Sequence, residues 1–253
     1  MIYAKNFKRA ILNVGMFFAI IMVFIILFRT FITYDLFNIG KEMDVISLLT
    51  YPFAMSTFVP FACIFPVLPY AFTYLEEKNS GYYKYILMRC GVKKYIFNKI
   101  FFTGLSGGIS LLIPFTFIFI IAGVCSQQVS TEFFPYMYIG KIWEPYLYIF
   151  GGKLVLFLRL ILIFLFGVLW AEIALLISTI ISNRYIVFVV PFVIYQISWM
   201  ILPGIINPVI LFRADFDQRE YINIVSPFFV QCIFIVAIIF ILKSVLKKKV
   251  RYE

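Results

Sequence analysis

The chain has 253 residues, of which 64% are hydrophobic and 13% are charged, and its net charge is +10. This composition excludes a water-soluble globular protein, because so few polar side chains cannot cover a soluble surface. It predicts an integral membrane protein that forms one domain, residues 1–253.

Six apolar runs are each about as long as, or longer than, the roughly 20 residues that a helix needs to cross a hydrocarbon core. They cover residues 10–28, 45–75, 100–131, 154–182, 185–203 and 221–242. Because lipid offers no hydrogen bonds to an exposed backbone, these runs are predicted to be helices. The predicted fold class is therefore an all-α integral membrane protein with six transmembrane helices.

Residues 1–9 place Ile2, Tyr3 and Phe7 among basic residues. This mixture predicts a short helix in the inner membrane interface, with a disordered basic tail as the alternative. The apolar run that follows is longer than the core of a signal peptide, and no small-residue cleavage site comes after it. We therefore expect an uncleaved first helix.

The second run, residues 45–75, contains Pro52, Pro60, Pro66 and Pro69. Each proline removes a backbone N–H donor and bends a helix. Neighbouring helices can tolerate such bends in a membrane. Two interpretations remain open: a kinked helix that transmits motion from the cytoplasm, or a passive fit to a tilted bundle.

The segment 76–99 follows on the cytoplasmic side and has the most specific pattern in the chain. Its landmarks, in order, are Glu76, Glu77, Gly81, the basic and aromatic stretch 82–89, Lys93, Lys94 and Lys99. If the stretch is helical, Tyr82, Tyr85 and Ile86 share one face, because residues three and four apart are neighbours on a helix.

Two segments are predicted on the outer side of the membrane, residues 125–153 and 204–226. The first is rich in aromatic residues, as interfacial segments are, and is predicted to lie on the outer leaflet, with a substrate-binding cap as the alternative. The second joins an apolar stretch to a charged one. It is too polar to span and too apolar for a solvated loop, which predicts a re-entrant or interfacial helix pair before the last span.

Glu172 is the only acid deep within an apolar run. A carboxyl group at that depth is costly unless it faces a protein or water-lined interior. Together with Tyr195 and Gln196 of the fifth run, it is a candidate for lining a substrate path. A hydrogen bond that joins two helices is the alternative.

The basic residues predict the orientation. With both termini in the cytoplasm, the inner segments hold 15 of the 22 Lys and Arg residues: Lys5, Lys8, Arg9, Lys78, Lys84, Arg89, Lys93, Lys94, Lys99, Arg184, Lys243, Lys247, Lys248, Lys249 and Arg251. Cytoplasmic segments favour Lys and Arg, so we expect a multi-pass protein of the cell membrane with both termini inside. Contact with anionic membrane lipids explains the positive charge, and no nucleic-acid partner is indicated.

The sequence offers little for catalysis or for a metal. It contains no histidine, and its four cysteines are scattered without a C-x-x-C pair, so neither a zinc site nor a haem site is expected. No P-loop motif is present, and no two carboxylates are placed for a common cleft. We expect no enzymatic activity, metal or cofactor in this chain itself.

Six predicted helices, an interfacial N-terminal helix and an outer insertion before the last helix together resemble the ABC-2 type permease family. The pattern of the segment 76–99 resembles the first cytoplasmic loop of that family. Its members are the membrane subunits of ATP-driven exporters. In that family the short helix of this loop is the coupling helix, which docks in a cleft of the ATP-binding subunit. Where members often have a proline, this chain has Cys90 and Gly91. The resemblance implies contacts with an ATPase from Glu76, Glu77, Gly81, Tyr82, Tyr83, Tyr85, Ile86 and Leu87.

The resemblance also implies two kinds of partner: an ATPase subunit that binds ATP and magnesium, and a second copy of this permease or a related one. The small size is similar to that of permeases that export peptides, such as antimicrobial peptides; polysaccharide, lipid-linked and drug-like cargos remain open alternatives. Two other classes remain open. A secondary transporter or channel predicts inverted repeats or several intramembrane ionisable groups, whereas a non-transporting membrane anchor requires neither the proline-rich helix nor the docking loop.

Overall fold

The computed structural model describes residues 2–33, 56–125, 144–213 and 225–252, and over these residues the chain is helical without strands. In chain order the α-helices are α1 (Ile2–Ile11), α2 (Val14–Phe31), α3 (Phe58–Phe61), α4 (Thr73–Asn79), α5 (Tyr82–Cys90), α6 (Val92–Cys125), α7 (Glu144–Ile180), α8 (Arg184–Ile201), α9 (Pro208–Arg213) and α10 (Val225–Tyr252). Two 3₁₀ helices, Phe65–Val67 and Gly204–Ile206, are also present.

Within the described residues, five helical stretches are long and apolar enough to cross a membrane. They are Asn6–Phe31, Val92–Ile121, Leu156–Ile180, Arg184–Ile201 and Ser226–Lys249. The prediction of an all-α membrane protein is confirmed at this level. Each stretch overlaps one of the six apolar runs, and the described part of the remaining run, residues 56–75, has a different structure.

This second run is described from residue 56 onward, and there it is a broken segment rather than a continuous helix. It consists of α3, the 3₁₀ helix Phe65–Val67 and turns, because Pro60, Pro66 and Pro69 interrupt helical hydrogen bonding. The broken segment packs against α2, α6 and α7. Residues 45–55 lie outside the described residues.

Side chains of α8 satisfy two backbone carbonyls of the broken segment. The hydroxyl of Tyr195 donates to Val59 O at 2.8 Å, and Gln196 Nε2 donates to Pro60 O at 2.8 Å. Unpaired carbonyls are costly where no water is present. These bonds therefore compensate for the interrupted helix and attach it to α8.

At its other end, the broken segment is attached to the junction of α1 and α2. Asn13 caps α2, since its Oδ1 accepts from Met16 N at 2.7 Å, and its Nδ2 donates to Pro69 O at 2.6 Å. A side-chain cap of this kind satisfies a backbone N–H that the first turn leaves unpaired. The same residue thus ends the N-terminal helix, starts α2 and positions the broken segment.

An aromatic core lies where α3, α6, α7 and α9 meet. The ring centroids of Phe58 and Phe115 are 5.5 Å apart, and those of Phe166 and Phe212 are 4.6 Å apart. Because Phe212 belongs to α9, the apolar part of the predicted outer segment 204–226 folds back onto the bundle. Residues 214–224 of that segment, and residues 126–143 of the aromatic outer segment, lie outside the described residues.

Glycines bring the backbones of α6 and α7 into direct contact. A Cβ atom added at Gly167 would lie 2.5 Å from Gly107 O and 2.9 Å from the Cα of Gly108. The neighbouring atoms are backbone, so they cannot turn away as a flexible side chain would. In membrane proteins small residues at such a contact allow close packing and dispersion contacts between helices.

Replacing Gly167 with valine should destabilise the protein by about 2 kcal/mol or more, because the added side chain forces the two backbones apart. Denaturant titration of the purified protein in detergent measures this loss. Phe157→Val is the matched control, since it places valine in the same helix at a position that is 58% exposed. Equal stability of the two variants would contradict the close backbone contact.

Candidate functional site

Helix α5 is a separate nine-residue helix between two glycines. Gly81 has φ 69° and Gly91 has φ 74°, both in the left-handed region that glycine adopts without steric cost. The two turns direct the chain out of α4, through α5 and into α6. A helix is therefore present where the sequence pattern predicts one.

One side of α5 packs into the protein. The ring of Tyr83 is buried, and Ile86 and Leu87 pack partly buried against the same hydrophobic cluster, which includes side chains of α4, α6 and α10. At the end of the helix, burial raises the pKa of the Cys90 thiol, and its Sγ donates to Ile86 O at 3.0 Å. This bond satisfies a backbone carbonyl in the last turn of the helix.

The other side of α5, which we call the free face, consists of Tyr82, Tyr85 and Met88. Their side chains are exposed by 44%, 62% and 75%, and the rings of the two tyrosines lie 6.5 Å apart. Lys84 and Arg89 flank this face and are exposed. Exposed aromatic and methionine side chains in one patch are typical of surfaces that bind another protein or a membrane.

A buried carboxylate lies beneath this helix. Glu77 is 2% exposed, and its Oε1 lies 2.7 Å from Arg9 Nη1 and 2.8 Å from Lys99 Nζ. Its Oε2 accepts a hydrogen bond from the hydroxyl of Tyr95 at 2.9 Å. Lys99 is 3% exposed and also donates to Thr73 Oγ1 at 3.0 Å. Glu77 therefore joins α1, α4 and α6.

Glu76 extends the contacts of Glu77 to a more exposed rim. Its Oε2 lies 3.2 Å from Arg9 Nη2, and its Oε1 pairs with Arg184 at the start of α8. A cavity of about 640 Å³ opens beside these charges between α1, α4 and α8. We call Arg9, Glu76, Glu77, Lys99 and Arg184 the ion-pair network.

The C-terminal helix also reaches the end of the molecule that carries the ion-pair network. Lys249 of α10 donates to Thr179 O near the end of α7, five residues before Arg184. The N-terminal helix, α5, the junction of α7 and α8, and the end of α10 consequently lie together at one end of the bundle.

The structure does not bring the three predicted path residues together. Val168 and Glu172 are four residues apart on α7 and line a groove with α6 and α10. Trp170 lies between them in sequence and faces the other way, where its ring contacts Tyr195 with centroids 5.3 Å apart. Tyr195 and Gln196 bind the broken segment, so the body of α7 separates them from Glu172.

A comparison with protein-family models, with curated proteins and with solved structures finds no match for this chain. The fold and the geometry of the site are therefore the basis for assigning a function.

The predicted ATPase contacts divide into three groups by exposure. Tyr82 and Tyr85 are exposed on the free face, where a partner can reach them. Glu77 and Tyr83 are buried in contacts within the chain, so we assign them to holding α5 in place. The remaining predicted contacts are partly buried: Glu76, Gly81, Ile86 and Leu87.

Sequence reasoning did not include Met88 in the free face, or Arg9 and Lys99 as partners of Glu77. Met88 is detectable in principle, because it follows Tyr85 by three residues and so shares its helix face. Arg9 is 68 residues from Glu77, and no local pattern connects residues that far apart. The sequence feature that pointed to Arg9 was its position at the end of the predicted basic interfacial helix, residues 1–9.

Proposed function

We propose that this chain is the membrane-spanning permease subunit of an ATP-binding-cassette exporter and that α5 is the helix on which the ATPase docks. The observation that carries the proposal is the free face on a short helix that stands between two glycine turns and is fixed from below by Tyr83. A helix that passes a movement of the ATPase to the membrane helices must expose one face to the ATPase. Its other face must pack firmly against the permease. An amphipathic helix resting on lipid has no need for a buried carboxylate beneath it.

The ion-pair network supports transmission from α5 into the membrane. Glu77 connects α4, which precedes α5, to α1 and α6, and Glu76 connects it to α8. A displacement of α5 would therefore reach α1 and α8 through α4, in addition to α6, which follows α5 directly. Packed helices respond to such a displacement by shifting between discrete arrangements rather than by bending gradually.

We further propose six membrane crossings with both termini in the cytoplasm. α2 has 18 residues and leads about 27 Å away from the ion-pair network. The chain is back at the network by Glu77, which binds Arg9, and the broken segment lies on this return, so we count one crossing between α2 and α4. The end with the network carries most of the basic residues, which favours the cytoplasmic side of the cell membrane. The fold of α9 onto the core supports a re-entrant segment on the outer side.

The proposal requires further partners. Over the residues that the structure describes, each chain offers one docking helix, whereas an ABC exporter hydrolyses ATP between two ATPase subunits, which hold the ATP and the magnesium. We therefore propose a dimer of permeases, formed by two copies or with a related chain. The family resemblance favours a peptide cargo such as an antimicrobial peptide, moved outward.

The proposal is tested by co-expressing this chain with an ABC ATPase whose gene lies beside the gene of this chain. We expect a stable complex with two membrane subunits and two ATPase subunits, whose masses native mass spectrometry measures. After reconstitution into vesicles, a candidate peptide should be transported only with hydrolysable ATP. A complex with a single membrane subunit would contradict the dimer, and failure of any ATPase to bind would contradict the function.

A secondary transporter is the second candidate, because Glu172 places a buried carboxyl group inside α7. Such carboxyl groups in the membrane take part in ion and proton coupling in many transporters. Transport driven by an ion gradient in vesicles without ATP would favour this class over an ABC permease.

A further inference from the structure

A groove of about 350 Å³ lies between α6, α7 and α10, on a different side of α7 from the broken segment. Its walls include Phe97, Phe101 and Phe164. Phe97 and Phe101 are exposed by 53% and 49%, so the groove opens on the outer surface of the bundle. Its volume is at the lower end of the range for small-molecule sites.

The floor of the groove carries a carboxyl group with an unused oxygen. Glu172 is 1% exposed, and its Oε2 has no hydrogen-bond partner among the described residues. Gly104 makes room for this group, since a Cβ there would lie 2.9 Å from Glu172 Oε1. A buried carboxyl oxygen without a partner is costly, so the site favours a ligand that brings an N–H or O–H donor.

A second charge lines the same groove. Lys243 of α10 has an exposed side chain and forms no ion pair with Glu172 in the part of the chain that the structure describes. A simple cation in the groove would meet Lys243, and a simple anion would meet Glu172. A zwitterionic ligand offers an N–H donor to Glu172 and an anionic group to Lys243.

We propose that this groove binds a phospholipid whose head group carries a primary amine, with the ammonium on Glu172 and the phosphate on Lys243. The apolar walls accommodate the start of an acyl chain. A primary ammonium has the N–H donors that Glu172 Oε2 needs, whereas a quaternary ammonium has none. Glu172 lies eight residues before the end of α7 at Ile180, about 12 Å along the helix. This depth is within reach of a head group in the adjacent leaflet.

Native mass spectrometry of the purified chain with three lipids of identical acyl chains tests the proposal. The head groups are phosphoethanolamine, phosphocholine and phosphoglycerol. We expect the phosphoethanolamine lipid to be retained about tenfold more than the phosphocholine lipid, since a hydrogen bond between two charged groups distinguishes them. Equal retention of these two lipids by the unmodified chain would overturn the proposal.

Two variants separate the two charges. Glu172→Gln keeps the shape of the side chain and should reduce the preference for the primary amine to about twofold or less. Lys243→Gln should reduce the retention of both the phosphoethanolamine lipid and the phosphocholine lipid. The ratio between the two retained amounts should stay high. Phe157→Val in α7, at a position that is 58% exposed and does not line the groove, is the control and should match the unmodified chain. An unchanged preference in Glu172→Gln would overturn the assignment of the ammonium site. Because no ATPase is present, the outcome is independent of the proposed transport function.

Discussion

Glu77→Gln should lower the free energy of unfolding by about 3 kcal/mol, because removal of one partner leaves a buried charge uncompensated. That charge is Lys99, which is 3% exposed and whose ammonium lies 2.8 Å from Glu77. In the variant, Arg9 and Tyr95 also no longer face a charged carboxylate. Denaturant titration of the purified protein in detergent measures the effect.

Glu76→Gln is the matched control for this prediction. The side chains of Glu76 and its partner Arg9 are 39% and 38% exposed, and ion pairs at that exposure contribute about 0–1 kcal/mol. The double variant Glu77→Gln/Lys99→Met removes both buried charges and should recover part of the lost stability. Equal effects of Glu76→Gln and Glu77→Gln would contradict the buried role of Glu77.

The double substitution Tyr82→Ala/Tyr85→Ala should weaken binding of the ATPase roughly thirtyfold, or about 2 kcal/mol, as truncation of aromatic anchors in protein interfaces often does. Transport should fall with it. Stability should change little, because both rings are exposed on the free face. Co-purification with the ATPase and a vesicle transport assay measure the two effects.

Two control variants test whether the expected loss of ATPase binding is due to the missing aromatic rings. Tyr82→Phe/Tyr85→Phe keeps both rings and should retain most of the binding. Tyr185→Ala removes a tyrosine that is 83% exposed at the same end of the molecule but lies outside α5, and it should bind the ATPase normally. Normal binding and transport by the double alanine variant would exclude α5 as the docking helix.

The long helices were predictable because they depend on composition over about 20 residues, and lipid allows little besides a helix. Helix α5 was predictable because Gly81 precedes a stretch with helical spacing and Gly91 ends it. The break in the second apolar run follows from its prolines. In each case, a short window of sequence contains the physical cause.

The contacts between distant segments were not predictable from such windows. The charges of Arg9, Glu77 and Lys99 are visible in the sequence, but only the fold shows that they meet. Tyr195 was a candidate for the substrate path because of its polar group at membrane depth, whereas the structure uses that group to satisfy Val59 O. The sequence predicts that Trp170 and Glu172, two residues apart, lie on opposite sides of α7. Only the fold shows that Tyr195 contacts Trp170 and therefore lies on the side away from Glu172.

Photo-crosslinking from position 88 tests the central claim most directly. Met88 is 75% exposed on the free face, and a photoreactive phenylalanine derivative can replace it in the full chain, in membranes that also contain the ATPase. We predict an adduct that mass spectrometry identifies as an ATP-binding-cassette ATPase, and no such adduct from the same group at Phe101, which faces the groove. Adducts with lipid alone from position 88 would contradict the assignment of α5 as the helix that couples this chain to an ATPase.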